Sequence, residues 1–253
     1  MAFAPARVDA VMLEARATQL FRRLHDDGAK RDAMAAAGAL LEIDAATGGQ
    51  TPGTVRAACA RALAPDVPAP AAVVVGLHLA PVAARALAES PVRVSVALGP
   101  GGDPAAAVAA GAHEVELPLD AGVLLAGRPE VAIQAIEAAK HACGHATLKV
   151  VIGAGELGSC AAFARAAALA LTAGADFLKT SADTEPAALP ALALLLCGVL
   201  REHRRRTGRF GGLALAGAAM TADARAGFVS IAGETLGADC LQPARLRIGA
   251  GAA

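Results

Sequence analysis

The sequence predicts an α/β protein, a (β/α)8 TIM barrel with an N-terminal helical extension. Three observations point there. Eight short apolar segments alternate with alanine-rich helical patterns from about residue 40 onward, and strand followed by helix is the signature of a parallel sheet. Eight such units suit closure into a barrel. The chain has 253 residues, and about 250 is the usual size of that architecture. No long linker or composition shift divides it, so residues 1–39 read as the helical extension and 40–253 as the barrel domain.

The elements follow in order. Residues 8–26 set Val8, Met12, Leu13, Ala17, Leu20 and Phe21 at helical spacing. A short second helix is expected over 31–39. Strands are expected at 40–44, 72–77, 92–98, 114–119, 147–152, 176–182, 212–217 and 245–249. Helical patterns fill 52–64, 80–89, 103–110, 121–143, 157–173, 186–206 and 221–236. In such a barrel, chemistry belongs at the C-terminal ends of the strands and in the loops that follow them.

Composition narrows the function. Formal net charge is zero, which argues against nucleic acid or an anionic membrane as the main partner. There is no Trp and no Tyr, so base-stacking and sugar-stacking platforms are not expected. The five cysteines form no Cys-x-x-Cys pair, so neither a zinc site nor a disulfide framework is indicated, and a reducing cytoplasm is expected. His141 and His145 are four apart, but Gly144 breaks the helix that would align them, so a helix end is expected there rather than a metal site. The N-terminus carries Arg7, Asp9, Glu14 and Arg16 and does not read as a signal peptide. The basic run Arg201 to Arg209 follows a helical pattern and reads as a solvated helix end.

Lysine usage points to chemistry. The chain has 23 basic residues, of which only Lys30, Lys140, Lys149 and Lys179 are lysines. Arginine cannot lose its proton and attack a carbonyl, because its pKa lies above about 12. Lys179 sits in the apolar stretch Ala175-Asp176-Phe177-Leu178-Lys179-Thr180-Ser181, which suggests a Schiff-base nucleophile kept neutral by desolvation or a nearby cation. The plainer alternative is a lysine snorkelling from a strand end. Alternation puts Phe177, Lys179 and Ser181 on one face of the strand, with Leu178 and Thr180 on the other. Lys149, on the preceding strand, could point inward as well, and each amine would then lower the pKa of the other.

Gly153-Ala154-Gly155-Glu156-Leu157-Gly158 matches G-x-G-x-x-G between a strand and a helix. It is the fifth unit rather than the first, and glycine-rich chains match this pattern by chance, so nucleotide binding ranks last. Gly217 and Gly249 end strands seven and eight, where backbone amides commonly hold a phosphate.

Leu148-Lys149-Val150-Val151-Ile152, followed by Gly155-Glu156-Leu157, is similar to a known "LKVIIETGEL" strand and turn. Gly174-Ala175-Asp176-Phe177-Leu178-Lys179-Thr180-Ser181 is similar to a "GADFIKTS" signature. With Ile43-Asp44, Gly111 to Glu116, Leu236 to Asp239 and Arg247 to Ala250, these segments make the chain resemble the deoxyribose-phosphate aldolase family, class I aldolases of deoxyribonucleotide catabolism. The resemblance implies a (β/α)8 barrel and a homodimer, with a small-molecule aldehyde or sugar phosphate as substrate. It implies reversible cleavage of 2-deoxyribose 5-phosphate with no metal or organic cofactor. It casts Lys179 as the imine-forming lysine, Glu116 in the place of the proton-relay aspartate, Lys149 as the strand-five lysine and Asp44 as a substrate-side aspartate. Thr180, Gly217, Ala218 and Gly249 fall in its substrate-binding segments.

The departures concern the same site. Ala214 stands where the family has a second essential lysine, in a "KPAGGVRT" segment, and Met220 stands on its arginine. Asp183 lies in place of a small residue before a cation, and Gly249-Ala250-Gly251-Ala252 lacks the hydroxyls of "GASS". Each lost charge-assisted phosphate contact typically costs about 1.5–3 kcal/mol, so weak phosphate affinity is expected. A diverged aldolase and a barrel that has lost catalysis both follow from these residues.

Overall fold

Eight strands close into one parallel barrel in the computed structural model, which describes residues 9–22, 38–46, 49–65, 68–181, 188–217 and 220–250. In chain order the strands are β1 (Leu41–Asp44), β2 (Ala72–Gly76), β3 (Arg93–Ala97), β4 (Glu114–Pro118), β5 (Thr147–Val151), β6 (Phe177–Ser181), β7 (Gly212–Ala216) and β8 (Leu246–Ala250). Each pairs with the next, and β8 returns to β1 with Leu41 opposite Ile248. The helices are α1 (Ala10–Arg22), α2 (Pro52–Ala62), α3 (Ala80–Ala86), α4 (Pro104–Ala109), α5 (Ala121–Leu125), α6 (Pro129–Cys143), α7 (Ala154–Leu157), α8 (Cys160–Thr172), α9 (Leu189–Thr207) and α10 (Ala222–Leu236).

Strand alternation separates two environments. Val73, Val75, Val94, Val96, Val115, Leu148, Val150, Leu178, Leu213, Leu215 and Ile248 point outward and join the helices in one apolar core. Their neighbours point into the lumen, and those are the residues that carry charge. Polar residues start the helices as their side chains allow: the side chains of Thr51, Asp103, Asp120, Ser159 and Thr221 each accept a backbone N–H in the first turn that follows.

The expected strands all form, to within a residue or two at each end. The single helix expected over 121–143 is broken instead. Gly127 adopts φ 72°, and Pro129 opens α6 at its first position, where a missing N–H costs nothing. The short helix expected over 31–39 falls largely outside the described residues, as do Asp183 and Ala218. α1 lies against α9 and α10 on the barrel flank. Phe21 meets Phe228 edge-on at 5.5 Å, and Gly227 makes room, since a Cβ there would stand 2.3 Å from the Phe21 ring. Among the described residues no helix is long and apolar enough to cross a membrane.

Candidate active site

The lumen is ionic. Glu42 on β1, Ser95 on β3, Glu114 and Glu116 on β4, Lys149 on β5, Lys179 on β6 and Arg247 on β8 are all buried and converge inside the barrel. Register explains the convergence. Glu116 pairs with Lys149, Lys149 with Phe177, and Lys179 with Ala214. Alternation then turns each of these side chains inward at neighbouring heights.

Lys179 Nζ donates to Glu116 Oε2 at 2.7 Å and lies 3.8 Å from Glu42 Oε2. The other Glu116 oxygen accepts from Ser95 Oγ at 3.0 Å and lies 3.5 Å from Lys149 Nζ. Lys149 is sealed from solvent and donates to Glu42, with Glu114 Oε2 2.7 Å away. That last contact is ionic without being an aligned hydrogen bond, because Glu114 Oε2 counts no hydrogen-bond partner. Arg247 donates to Glu114 at 2.6 Å, and its Nε is 3.4 Å from Glu42. The Phe177 ring forms an apolar wall, 6.0 Å from Lys149 Nζ and 5.5 Å from the Arg247 guanidinium. Gly212 leaves space for that ring, since a Cβ there would lie 2.3 Å from it. The fully buried charges balance: three carboxylates face two ammonium groups and one guanidinium. Arg93, with a side chain 43% exposed, reaches Glu114 at 2.9 Å.

This arrangement corrects the electrostatic expectation for Lys179. Burial pulls its pKa down, and Lys149 pushes in the same direction. Glu116 and Glu42 pull it up and win, so the amine is held above the ordinary lysine value. Lys149 follows the same pattern: burial lowers its pKa, but Glu42, Glu114 and Glu116 together raise it. The carboxylates pay the reciprocal shift. Burial would raise Glu116, but Lys179, Lys149 and a hydrogen bond from Ser95 bring it below the usual range. Glu114, against the same burial, is brought to about 2 by Lys149 and Arg247. Lys149 does lower the Lys179 pKa as like charge requires, but the carboxylates interleaved between the two amines outweigh it.

The other candidate residues are less central. Asp44 sits at the C-terminal end of β1, half-buried, and accepts from the Ala46 N–H at 2.7 Å. Thr180 faces away from the lumen, and its hydroxyl donates to the Ile152 carbonyl at 3.0 Å, which corrects its assignment to substrate binding. Gly249 is buried, and a Cβ there would come 3.0 Å from the Ala216 backbone, so close packing of β7 on β8 accounts for it. Gly217 follows β7 at the mouth. Met220 is buried, and its carbonyl accepts from Arg225 at 2.9 Å. In the glycine-rich loop Glu156 folds back so that a Cβ on Gly153 would meet its carboxyl carbon at 3.1 Å; a carboxylate over that loop opposes a nucleotide phosphate. His141 lies in the last turn of α6, which Gly144 ends with φ 54°. Among the described residues no group of His, Cys, Asp and Glu could hold a metal ion.

Glu42, Glu114, Ser95 and Arg247 were not singled out as site residues from sequence. A signal was available for three of them, because Glu42, Ser95 and Glu114 each lie within a strand two residues from another inward position.

No family model matches the chain. Deoxyribose-phosphate aldolases of Mus musculus and Homo sapiens are each 34% identical to it over 146 residues, 57% of this chain and 46% of theirs. The chain thus spans about half the length of the curated relatives it matches. A crystal structure assigned as a Toxoplasma gondii deoxyribose-phosphate aldolase superposes with a TM-score of 0.74 at 25% identity, covering 88% of this chain and 93% of that one. One from Coccidioides immitis, at 17% identity and TM-score 0.70 over 96% and 94% of the two chains, shares the fold. A sequence match at this identity and a barrel shared over nearly its whole length make the chain similar to deoxyribose-phosphate aldolases in sequence and in fold.

Proposed function

We propose that the protein is a class I, Schiff-base lyase that reversibly cleaves 2-deoxyribose 5-phosphate or a related, non-phosphorylated aldehyde through Lys179. The observation that carries this reading is the buried Lys179 amine with a proton acceptor, Glu116, at 2.7 Å. Lys179 passes its proton to Glu116 and becomes a neutral amine. The amine attacks the substrate carbonyl carbon, the oxygen takes up a proton to give a carbinolamine, and water leaves as the imine forms. Lys149 orients the second Glu116 oxygen and keeps the relay charged. A non-phosphorylated substrate is favoured by Ala214 beside Lys179 in register and by Met220 where the family carries an arginine. The family resemblance also implies a homodimer and a small-molecule partner.

A second reading, a barrel retained for binding or regulation after loss of catalysis, is favoured by the same pairing with Ala214 and by the upward pull on the Lys179 amine. Borohydride trapping separates the two. The protein is incubated with acetaldehyde or deoxyribose 5-phosphate, reduced and weighed. A reduced adduct on Lys179, absent in Lys179→Ala, is expected. No adduct with any small aldehyde sinks the lyase reading.

A further inference from the structure

We propose that Glu42 is the positioning residue of this lumen: it fixes Lys149 with one carboxylate oxygen and holds Lys179 as an ammonium with the other. This deepens the lyase reading by assigning what controls the nucleophile, and it rests on that reading only for its catalytic meaning.

The geometry is specific to Glu42. Its Oε1 accepts from Lys149 Nζ and lies 3.4 Å from Arg247 Nε, while Oε2 faces Lys179 Nζ at 3.8 Å. The residue is 2% exposed, so solvent screens none of these contacts. At such separation and burial an opposite charge shifts a pKa by about 1–3 units. Glu116 is the closer partner of Lys179, but it must also receive the proton, so it cannot hold that proton away from itself. Glu42 is placed to oppose the transfer. When the proton moves from Lys179 to Glu116, the ammonium that Glu42 faces becomes a neutral amine and their attraction is lost.

Every element around Lys179 contributes to this balance. β1 presents Glu42 and, at its end, Asp44, which accepts from the Ala46 N–H; β3 presents Ser95, β4 Glu114 and Glu116, β5 Lys149 and β8 Arg247. β2 presents Ala72 and Val74, and β7 presents Ala214, so neither brings a charge. Glu114 is occupied by Lys149 and Arg247. Glu42 is therefore the carboxylate, beyond Glu116, that reaches the nucleophile.

The chain has four lysines, so the protein labelled with 13C at lysine Cε shows few signals, assigned by single Lys→Arg variants. Titrating them reads the protonation midpoint of Lys179 directly, with no aldehyde present. In Glu42→Gln that midpoint is expected to fall by about 1–3 pH units. An unchanged Lys179 midpoint in folded Glu42→Gln overturns the proposal. If Glu42→Gln does not fold, Glu42→Asp keeps the charge and shortens its reach; a smaller fall is expected, and no fall overturns the proposal equally. Borohydride trapping run alongside keeps the two ideas apart: a shifted midpoint with no adduct on Lys179 supports the clamp and defeats the lyase reading.

Discussion

An ammonium does not attack a carbonyl, so the protonation of Lys179 decides the rate of any imine chemistry here. Its pKa is raised, and the neutral fraction falls about tenfold for each pH unit below it. Trapping is therefore expected to accelerate with pH through the alkaline range, by about tenfold per unit, until the amine titrates. A rate already flat at neutral pH would show that the carboxylates do not hold the proton. Ala214 pairs with Lys179 in register, so Ala214→Lys brings a second ammonium beside the first. In a folded variant, trapping at neutral pH is expected to rise by about tenfold or more, and an unchanged rate would show that an ammonium at position 214 does not assist Lys179. Rarity of lysine was a useful but incomplete guide at this scale. Lys140 is as rare as Lys179, yet it pairs with Asp176 at 2.6 Å, half-exposed on the outside of the barrel. What distinguishes Lys179 is a strand position that turns it inward.

At the scale of elements the period-two and period-3.6 patterns carried most of the information. Strand positions were legible because outward valines and leucines needed a helix to cover them. The break between α5 and α6 was not anticipated, because the apolar pattern runs on past Gly127 and Pro129 while backbone geometry does not. Thr180 is the instructive case on β6. It is adjacent to Lys179 in sequence but on the opposite face, bonded to the carbonyl of Ile152 just after β5. Thr180→Val is expected to cost about 1 kcal/mol of stability in a urea titration and to leave the aldehyde concentration dependence of trapping unchanged. A large change in that dependence, without loss of stability, would return Thr180 to the substrate. Glu42, Glu114 and Arg247 were passed over for a related reason: a charged residue in a strand looks like an edge or surface position until closure of the barrel removes the edges.

For the whole molecule, the lumen links folding to pH at both ends of the scale. Folded-state values of Glu114, about 2, and of Glu116, also lowered, lie below the unfolded carboxylate value. Their contribution is complete above about pH 5 and lost as pH falls through the folded values. Lys149 and Lys179 are raised above the unfolded lysine value of about 10.4. Their contribution is complete below that value and lost as pH climbs through the folded ones. The thermal midpoint is accordingly expected to be level from about pH 5 to pH 10 with respect to these groups and to decline beyond each end. A decline by pH 8 that vanishes in Lys149→Met would show that the lysine is not ion-paired as described.

The balance of three carboxylates against three buried cations also bears on the field at the mouth of the barrel. A cavity without net charge projects little field past its mouth, so it neither draws in nor repels an ion from a distance. These six buried charges therefore steer no ion, and added salt finds little among them to screen.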